Sequence, residues 1–329
     1  MKILIVGCGA VGQVWGLFLQ KAGVELGLYD RPAVAAKLKQ ALEQGGLPLF
    51  QITRSHRRDP IAHRLADYRV IADAAEARRF APDQIWFTVP SPVYYTEWFR
   101  EFPQAVPSQR VVCFIPEGGR PEFIPEGGGE RFVFGGTAFM AWQGGPEGGG
   151  GRAGGINFWR PPLGIPLAGS KNACREVGQI LKKAGFGYTA GKADSRDQAA
   201  TTAAMTAFTA GLELSGWSLR EFRKSSWLTR SAGACREAVL GQLPGTGAFQ
   251  RALLGESVLT AAFRLVAIFL PLLVPFELEK YLKFHYTKTR EQSIGLLELF
   301  IKDGERRNMP VEKIREVLQG LRGHGNRQD

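Results

Sequence analysis

The sequence has few cysteines, and their positions exclude the usual metal and disulfide frameworks. The four cysteines of the 329-residue chain, Cys8, Cys113, Cys174 and Cys235, lie far apart. None of them forms a CxxC pair or a Cys/His spacing that would bind zinc. We therefore expect no metal site. Small buried thiols in a reducing compartment are expected instead, which favours a cytoplasmic location.

Long hydrophobic runs are also lacking. The most apolar stretch, residues 265–276, is too short to cross a bilayer and is interrupted by Pro271 and Pro275. Met1 and Lys2 lead directly into a strand-like run, so we expect no signal peptide. We expect the apolar stretch to be a buried, bent helix and the protein to have no membrane contact. Its length also predicts that part of it is buried against a second copy in a homodimer.

Basic residues are in excess, but they are not grouped. Lys and Arg number 42 against 31 Asp and Glu, a net charge of +11. The densest run, residues 54–58, is short and has no interleaved aromatic residues. Nucleic-acid binding is therefore not expected, and the excess indicates a scattered basic surface or an anionic cofactor or substrate. A composition of 44% hydrophobic and 22% charged residues is that of a globular protein.

The chain begins with a strand, a glycine turn, a helix and a second strand. Residues 2–6 form an apolar, β-branched run, helical spacing extends from Ala10 to Lys21, and residues 24–29 predict another strand. This order predicts a βαβ unit of a parallel sheet. Later strands are predicted at residues 68–72, 84–89, 110–115, 131–134 and 155–158. After residue 190 the pattern is helical, with predicted helices at 199–219, 253–269, 278–300 and 310–321.

The glycine turn has the spacing of a dinucleotide-binding motif, Gly7-Cys-Gly-Ala-Val-Gly12. Gly7 permits the tight turn, Gly9 lets a pyrophosphate approach the backbone, and Gly12 lets the helix pack close to the strand. The candidate cofactor-binding residues are Gly7, Cys8, Gly9, Ala10, Val11 and Gly12. The alternative is a glycine turn that serves packing alone. The motif predicts an α/β Rossmann-like N-terminal domain with a parallel sheet over residues 1–190, followed by an all-α C-terminal domain over residues 191–329 for substrate binding and dimerisation.

The end of the second strand bears on the choice of dinucleotide. Asp30 is placed to accept a hydrogen bond from a ribose 2′-OH, which favours NAD. Arg31 would pair with a 2′-phosphate, which favours NADP. Two further cofactor candidates are Ser91, at the carboxyl end of a strand, and Glu117, on a glycine loop after the next strand.

Three stretches resemble the ketopantoate reductase family. They are the N-terminal KILIVGCGAVGQ (residues 2–13), FELEKYLKFHYTKTREQ (residues 276–292) and NMP (residues 308–310). The resemblance implies a Rossmann domain followed by a helical domain and reduction of a small 2-oxo acid with NADPH. It also implies that Arg31 holds the 2′-phosphate, so NADP is favoured over NAD.

The chain departs from this family at the positions that carry its chemistry. The family places a lysine, its proton donor, on the first helix of the second domain, whereas residues 198–208 contain no basic residue. The family's Asn-Gly turn is replaced by residues 115–119, which include Glu117. The departures predict a related oxidoreductase with another proton donor.

The segment 278–300 supplies candidates for that donor. If it is one helix, a single face carries residues 278, 282, 285, 289, 292, 296 and 299, and its centre is polar. The candidate catalytic residues are His285, Lys288 beside this face, and Gln292, which would orient one of them. The alternative is an ordinary helix contact with a satisfied histidine and a surface lysine.

These observations leave three functions open. The first is an NADP-dependent reductase of a small 2-oxo acid or related carbonyl compound. The second is an opine-type dehydrogenase, which has the same two-domain organisation. The third is a non-catalytic NAD(P)-binding sensor or scaffold, which the missing lysine favours.

Overall fold

The computed structural model describes residues 1–53, 59–114, 130–145, 150–191, 196–242 and 254–325. The chain divides into two compact units. Unit 1 comprises Met1–Glu147 and Gly151–Ser195, and unit 2 comprises Gly148–Gly150 and Arg196–Asp329.

Unit 1 alternates strands and helices. Its elements are β1 Lys2–Val6, α1 Ala10–Lys21, β2 Glu25–Tyr29, α2 Pro32–Glu43, β3 Leu47–Gln51, β4 Ile61–Leu65, β5 Arg69–Ile71, α3 Ala74–Phe80, β6 Gln84–Phe87, α4 Glu97–Ala105, β7 Arg110–Phe114, β8 Phe132–Gly135, β9 Met140–Gln143, β10 Ile156–Trp159, β11 Ile165–Ala168, α5 Lys171–Lys183 and β12 Tyr188–Gly191. A short 3₁₀ turn, Ser91–Tyr95, precedes α4.

The main sheet has eight strands in the order β12-β11-β8-β7-β6-β1-β2-β5. Every neighbouring pair is parallel except β8 with β11, which is antiparallel. β1 lies between β2 and β6, and all its residues except Lys2 are buried. The predicted βαβ unit and the α/β fold class are confirmed. Their apolar strands need cover on both faces, which the helices between them supply.

A second sheet of four strands, β4-β3-β10-β9, was not predicted. Its strands are short, and β3 contains Pro48, which weakens the strand pattern. The sheet packs on α1, where the Phe18 ring meets Phe158 edge to face at 5.7 Å. Gly16 also faces this sheet, because a Cβ there would lie 2.8 Å from Leu65 Cδ2. α1 therefore lies between two sheets, and Trp15 is fully buried.

Unit 2 is helical, as predicted. Its helices are α6 Arg196–Leu214, α7 Leu219–Phe222, α8 Trp227–Gln242, α9 Glu256–Leu273, α10 Leu278–Lys288, α11 Arg290–Arg306 and α12 Glu312–Gly325. α8 is buried along most of its length. Small residues let α6 pack closely against α8. A Cβ on Gly211 of α6 would lie 2.0 Å from Oγ of Ser231 on α8. Glu237 of α8 accepts a hydrogen bond from Ile314 N at 3.0 Å and so caps α12.

Two expectations for unit 2 are wrong. The predicted helix 278–300 is two helices, because Thr289 leaves the helical conformation at φ −108° and ψ 21°. The apolar stretch after residue 264 is not the buried helix that the sequence predicts. α9 continues through Pro271 to Leu273, and only Phe263 and Ala267 are buried, because a single stripe faces the rest of unit 2. By length and composition alone, α9 is apolar enough to cross a membrane, with a mean hydropathy of 1.8 over 18 residues.

Candidate cofactor site at the glycine turn

The chain turns sharply between β1 and α1, and Gly7 makes this possible. Its φ of +95° lies in the region that favours glycine. A Cβ there would also lie 2.9 Å from Val89 Cγ1. Gly7 N donates to Tyr29 O at 2.9 Å, which joins the turn to the end of β2.

Gly12 is required where α1 passes the turn. A Cβ on Gly12 would lie 2.1 Å from Gly7 O and 2.8 Å from Thr88 Oγ1. Thr88, which follows β6, donates from its hydroxyl to Gly7 O at 2.5 Å. The carboxyl ends of β1 and β6 and the first turn of α1 are therefore in direct contact.

Gly9 differs from the other two glycines of the motif. It precedes α1 with φ −70° and ψ −165°, a conformation open to any residue. A Cβ there would meet nothing within 4 Å. Neither backbone conformation nor packing in unit 1 explains a glycine at this position.

The first turn of α1 presents free backbone donors beside Gly9. The first backbone bond of the helix runs from Gln13 N to Gly9 O at 3.0 Å. The N–H groups of Ala10, Val11 and Gly12 therefore have no acceptor within the helix. No side chain caps this end. Together with the positive end of the helix dipole, these donors can bind an anionic group.

Asp30 and Arg31 lie at the end of β2, beside the turn. Asp30 accepts from Cys8 N at 2.6 Å through one oxygen and from Arg31 N at 2.7 Å through the other. Its side chain is only 14% exposed, whereas that of Arg31 is 88% exposed. The Arg31 guanidinium has a loose contact of 3.9 Å with Asp30, so it can reach a ligand. The buried Cys8 thiol has its pKa raised, first by burial and then by Asp30, and it donates to Tyr29 O at 3.5 Å.

Aromatic residues that the sequence did not single out support this end of the sheet. The buried Tyr94 hydroxyl lies 3.0 Å from Phe87 O and 3.2 Å from Phe114 O and shares its one proton between them, so it joins the carboxyl ends of β6 and β7. Trp98 stacks on Tyr29 at 6.3 Å with an interplanar angle of 19°. Spacing alone cannot find them, because they lie on separate elements.

The remaining cofactor candidates are Ser91 and Glu117. The backbone of Ser91 begins the 3₁₀ turn after β6; its side chain lies outside what the structure describes. Glu117 lies outside the described residues.

The candidate catalytic residues lie in unit 2, around the break between α10 and α11. The half-buried His285 ring stacks on Tyr281 at 5.6 Å and meets Tyr286 edge to face at 5.0 Å. Burial lowers the pKa of His285, and the charge of Lys288 lowers it further. His285 is therefore neutral at pH 7, and one ring N–H is available as a donor.

Lys288 precedes the helix break along the chain, and Gln292 follows it. Lys288 is the last residue of α10 and is exposed, while Gln292 is half-buried in the first turn of α11. Thr289 lies between them and donates from its hydroxyl to His285 O at 3.1 Å. The single continuous face that the sequence predicted therefore does not exist, although the three candidates remain within one short segment.

An ion pair between the half-buried Arg290 and the buried Glu213 follows the break. Arg290 Nε lies 2.9 Å from Glu213 Oε1, and Arg290 also donates to Leu321 O. Burial raises the pKa of Glu213, and Arg290 acts in the opposite direction. This pair fixes the start of α11 against α6 and α12.

The glycine turn suits the pyrophosphate of a dinucleotide. It offers free N–H donors, an approach at Gly9 without any side chain, and a cation on Arg31. No group of His, Cys, Asp and Glu side chains that could hold a metal ion is found among the described residues.

Comparison with known proteins agrees with the fold and the motif. Residues 3–57 match the family model of ketopantoate reductase PanE/ApbA. No curated protein matches the chain. A D-mandelate dehydrogenase solved with NADH and anilino(oxo)acetate superposes with a TM-score of 0.66 at 15% identity, over 98% of this chain and 97% of that one.

Two ketopantoate reductase structures align over similar lengths. The 2-dehydropantoate 2-reductase of Geobacter metallireducens has a TM-score of 0.63 at 14% identity, covering 98% of this chain and 100% of that one. The enzyme of Methylococcus capsulatus has a TM-score of 0.60 at 14% identity, covering 99% and 97%. The chain therefore has the ketopantoate reductase fold and, over residues 3–57, a sequence that matches this family, at a low overall identity to its solved members.

Proposed function

We propose that this protein is an NADP-dependent reductase of a small 2-oxo acid or a related carbonyl compound. The observation that carries the proposal is Gly9. Gly7 and Gly12 are needed for the turn itself, so they would be glycines even without a ligand. Gly9 has no such reason, and its open position lies beside the free N–H groups of α1.

The preference for NADP over NAD rests on the contrast between Asp30 and Arg31. Both oxygens of Asp30 already accept backbone hydrogen bonds, while the Arg31 side chain is exposed. A guanidinium forms strong charge-assisted bonds with phosphate. Arg31 would thus hold a 2′-phosphate, and the role of Asp30 would be to fix the turn to β2.

For the reaction, we assign roles to the segment around the helix break. The bound nicotinamide would supply the hydride, and a protein acid must protonate the carbonyl oxygen. Lys288 is the proposed donor because it is exposed and cationic. The neutral His285 would donate a hydrogen bond, and Gln292 would orient one of them. The four free cysteines are buried, which supports a reducing, cytoplasmic setting.

Calorimetry with NADPH tests the cofactor assignment. Gly9→Asp should abolish binding, because a carboxylate would occupy the pyrophosphate position. The variant should fold, since a Cβ at position 9 has no protein atom within 4 Å. Gly191→Asp is the matched control: Gly191 also has open space around its Cβ but lies on the edge strand β12, so NADPH affinity should not change. Unchanged NADPH affinity in folded Gly9→Asp would refute the proposal.

The choice of dinucleotide has its own test. Arg31→Ala should weaken NADPH binding by about 1–3 kcal/mol and leave NADH affinity almost unaffected. An equal loss for both would show that Arg31 does not contact the 2′-phosphate.

A non-catalytic NAD(P)-binding protein is the second candidate. It is favoured by the absence of any basic residue between positions 198 and 208, where the resembled family has its proton donor. Both candidate functions require nucleotide binding, but only the reductase would turn over a carbonyl substrate.

A further inference from the structure

We propose that two copies of this chain associate through the outer side of α9, with the two helices antiparallel. The inference is independent of the proposed cofactor. It concerns what we name the α9 face: Val258, Ala262, Leu265, Val266, Phe269, Leu272 and Leu273.

The α9 face is exposed and wholly apolar. Leu272 and Leu273 are 76% and 69% exposed, and Leu265 and Phe269 are each 53% exposed. Phe263 and Ala267, the buried residues of α9, lie on the opposite side of the helix. Arg264 is also off the face, since it is more than a quarter turn from Leu265 and Phe269 toward the buried side.

The exposed apolar area of the α9 face is as large as the largest such patch on a typical monomer and approaches that of a dimer contact. The large side chains of the face leave on the order of 600 Å² of apolar surface in solvent, at the top of the range for the largest patch on a monomer. A standard interface buries about 800 Å² on each partner. The α9 face, together with the residues that border it, is thus of the size that a stable dimer needs.

The spacing of the apolar residues on the α9 face indicates that another helix covers it. Val258, Ala262, Leu265, Phe269 and Leu272 follow one another at intervals of four and three residues. This is the seam by which paired helices interlock their side chains. A membrane is a poorer fit, because Arg264 is near the middle of α9 and a cation at the centre of a bilayer costs about 2.5–3.5 kcal/mol. α9 also lacks the several basic residues of an interfacial helix.

The sizes of the side chains favour the antiparallel orientation. The N-terminal half of the face has the small Ala262, and the C-terminal half has Phe269, Leu272 and Leu273. In an antiparallel pair, Ala262 of one copy lies beside Leu272 of the other, and Leu265 lies beside Phe269. A parallel pair would place the large residues against each other and leave a gap at the alanines. Opposed helix dipoles add to the preference.

Light scattering at micromolar concentration is the first test. We expect twice the protomer mass of 36.1 kDa. Phe269→Asp should raise the dissociation constant of the dimer by roughly 100-fold, the size of a central interface residue. Leu299→Asp is the matched control, since Leu299 is 47% exposed on α11 and lies outside the face. It should leave the dimer intact, and circular dichroism should show that both variants are folded.

Cysteine cross-linking tests the orientation, with little background because the natural thiols are buried. A mixture of Ala262→Cys and Leu272→Cys proteins should form an intermolecular disulfide. Leu272→Cys alone should not, because the two Leu272 positions would be about 15 Å apart along the helices at 1.5 Å per residue. Self-cross-linking of Leu272→Cys would overturn the antiparallel arrangement.

Two results would overturn the proposal as a whole. One is a wild-type mass of one protomer at micromolar concentration. The other is co-sedimentation with phosphatidylcholine vesicles that Phe269→Asp abolishes, which would show that lipid covers the face.

Discussion

The glycine turn of unit 1 and the helix break of unit 2 are the two candidate sites, and they are built in opposite ways. At the turn, the chemical groups are backbone N–H donors, and their positions are set by contacts between Gly7, Gly12 and Thr88. At the break, the chemical groups are the side chains of His285 and Lys288, and their positions depend on where α10 ends.

The difference determines how each site responds to substitution. A site made of backbone donors is damaged when a side chain is added, whereas a site made of side chains is damaged when one is removed. The turn is also fixed by residues within one βαβ unit, while the break is fixed by long-range contacts such as the ion pair of Arg290 with Glu213.

Removing Lys288 is the sharpest test of whether the helix break performs chemistry at all. Lys288→Ala should lower turnover by roughly 10²–10⁴-fold, the usual contribution of a general acid. NADPH affinity should persist, because the glycine turn is untouched. Turnover on a panel of 2-oxo acids and calorimetry with NADPH measure the two effects separately.

Lys283 supplies the control, because it is also an exposed lysine of α10. Lys283→Ala should retain full turnover. If both variants kept wild-type turnover, Lys288 would not be the donor. If the wild type reduced no carbonyl compound while binding NADPH, the non-catalytic candidate would replace the reductase.

Adding one methyl group at the turn should separate folding from binding. Gly12→Ala places a Cβ 2.1 Å from Gly7 O, so it should lower the free energy of unfolding by about 1–3 kcal/mol or more. Gly9→Ala should leave it unchanged or raise it by up to about 1 kcal/mol, because the position is unstrained. Urea denaturation of both variants measures the contrast. Equal losses would mean that Gly9 is also a packing residue.

The sequence was sufficient for most of unit 1 because its signals are local. β1 was predicted at the observed residues, and α1 between Ala10 and Lys21, since an apolar run, a glycine turn and helical spacing each act over a few residues. The second sheet was missed because β3 and β9 are short and gain their stability from pairing with distant strands.

In unit 2 the helical class was predictable, but burial and helix continuity were not. The polar and apolar spacing runs unbroken through Thr289, so no local signal marks the break. In the same way, the composition of α9 predicts burial, although most of its apolar side chains are exposed. Which side of a helix is covered depends on its neighbours, and spacing alone does not identify them.

The hydrogen bonding between the carboxyl ends of β6 and β7 can be weakened without changing the glycine turn itself. Tyr94→Phe removes one buried hydroxyl whose single proton is shared between Phe87 O and Phe114 O. We expect a loss of about 1–2 kcal/mol in the free energy of unfolding, since two buried carbonyls lose the one donor that they share. Tyr95→Phe, at a tyrosine that is 60% exposed, should change it little. A Tyr94→Phe variant as stable as the wild type would show that the ends of β6 and β7 are held by other contacts.

The smallest effect concerns the protonation of His285, and it tests whether the helix break is as buried as its contacts indicate. Burial, and then Lys288, lower the pKa of His285 below the ordinary value of 6.5. The unfolded chain therefore binds the proton more readily than the folded one, so the stabilising contribution of neutral His285 is present above pH 6.5 and is lost as the pH falls through the folded pKa.

Between about pH 7.5 and about pH 5.5, the wild type should lose more unfolding free energy than His285→Gln. Lys288→Ala should reduce the loss, because it removes one cause of the lowered pKa. Urea denaturation at both pH values measures the difference. His63 of β4, whose pKa is also lowered by burial and by Lys21, contributes equally in each variant. Parallel losses in the wild type and His285→Gln would show that the ring is solvated, and the helix break would then differ from the glycine turn less than its geometry implies.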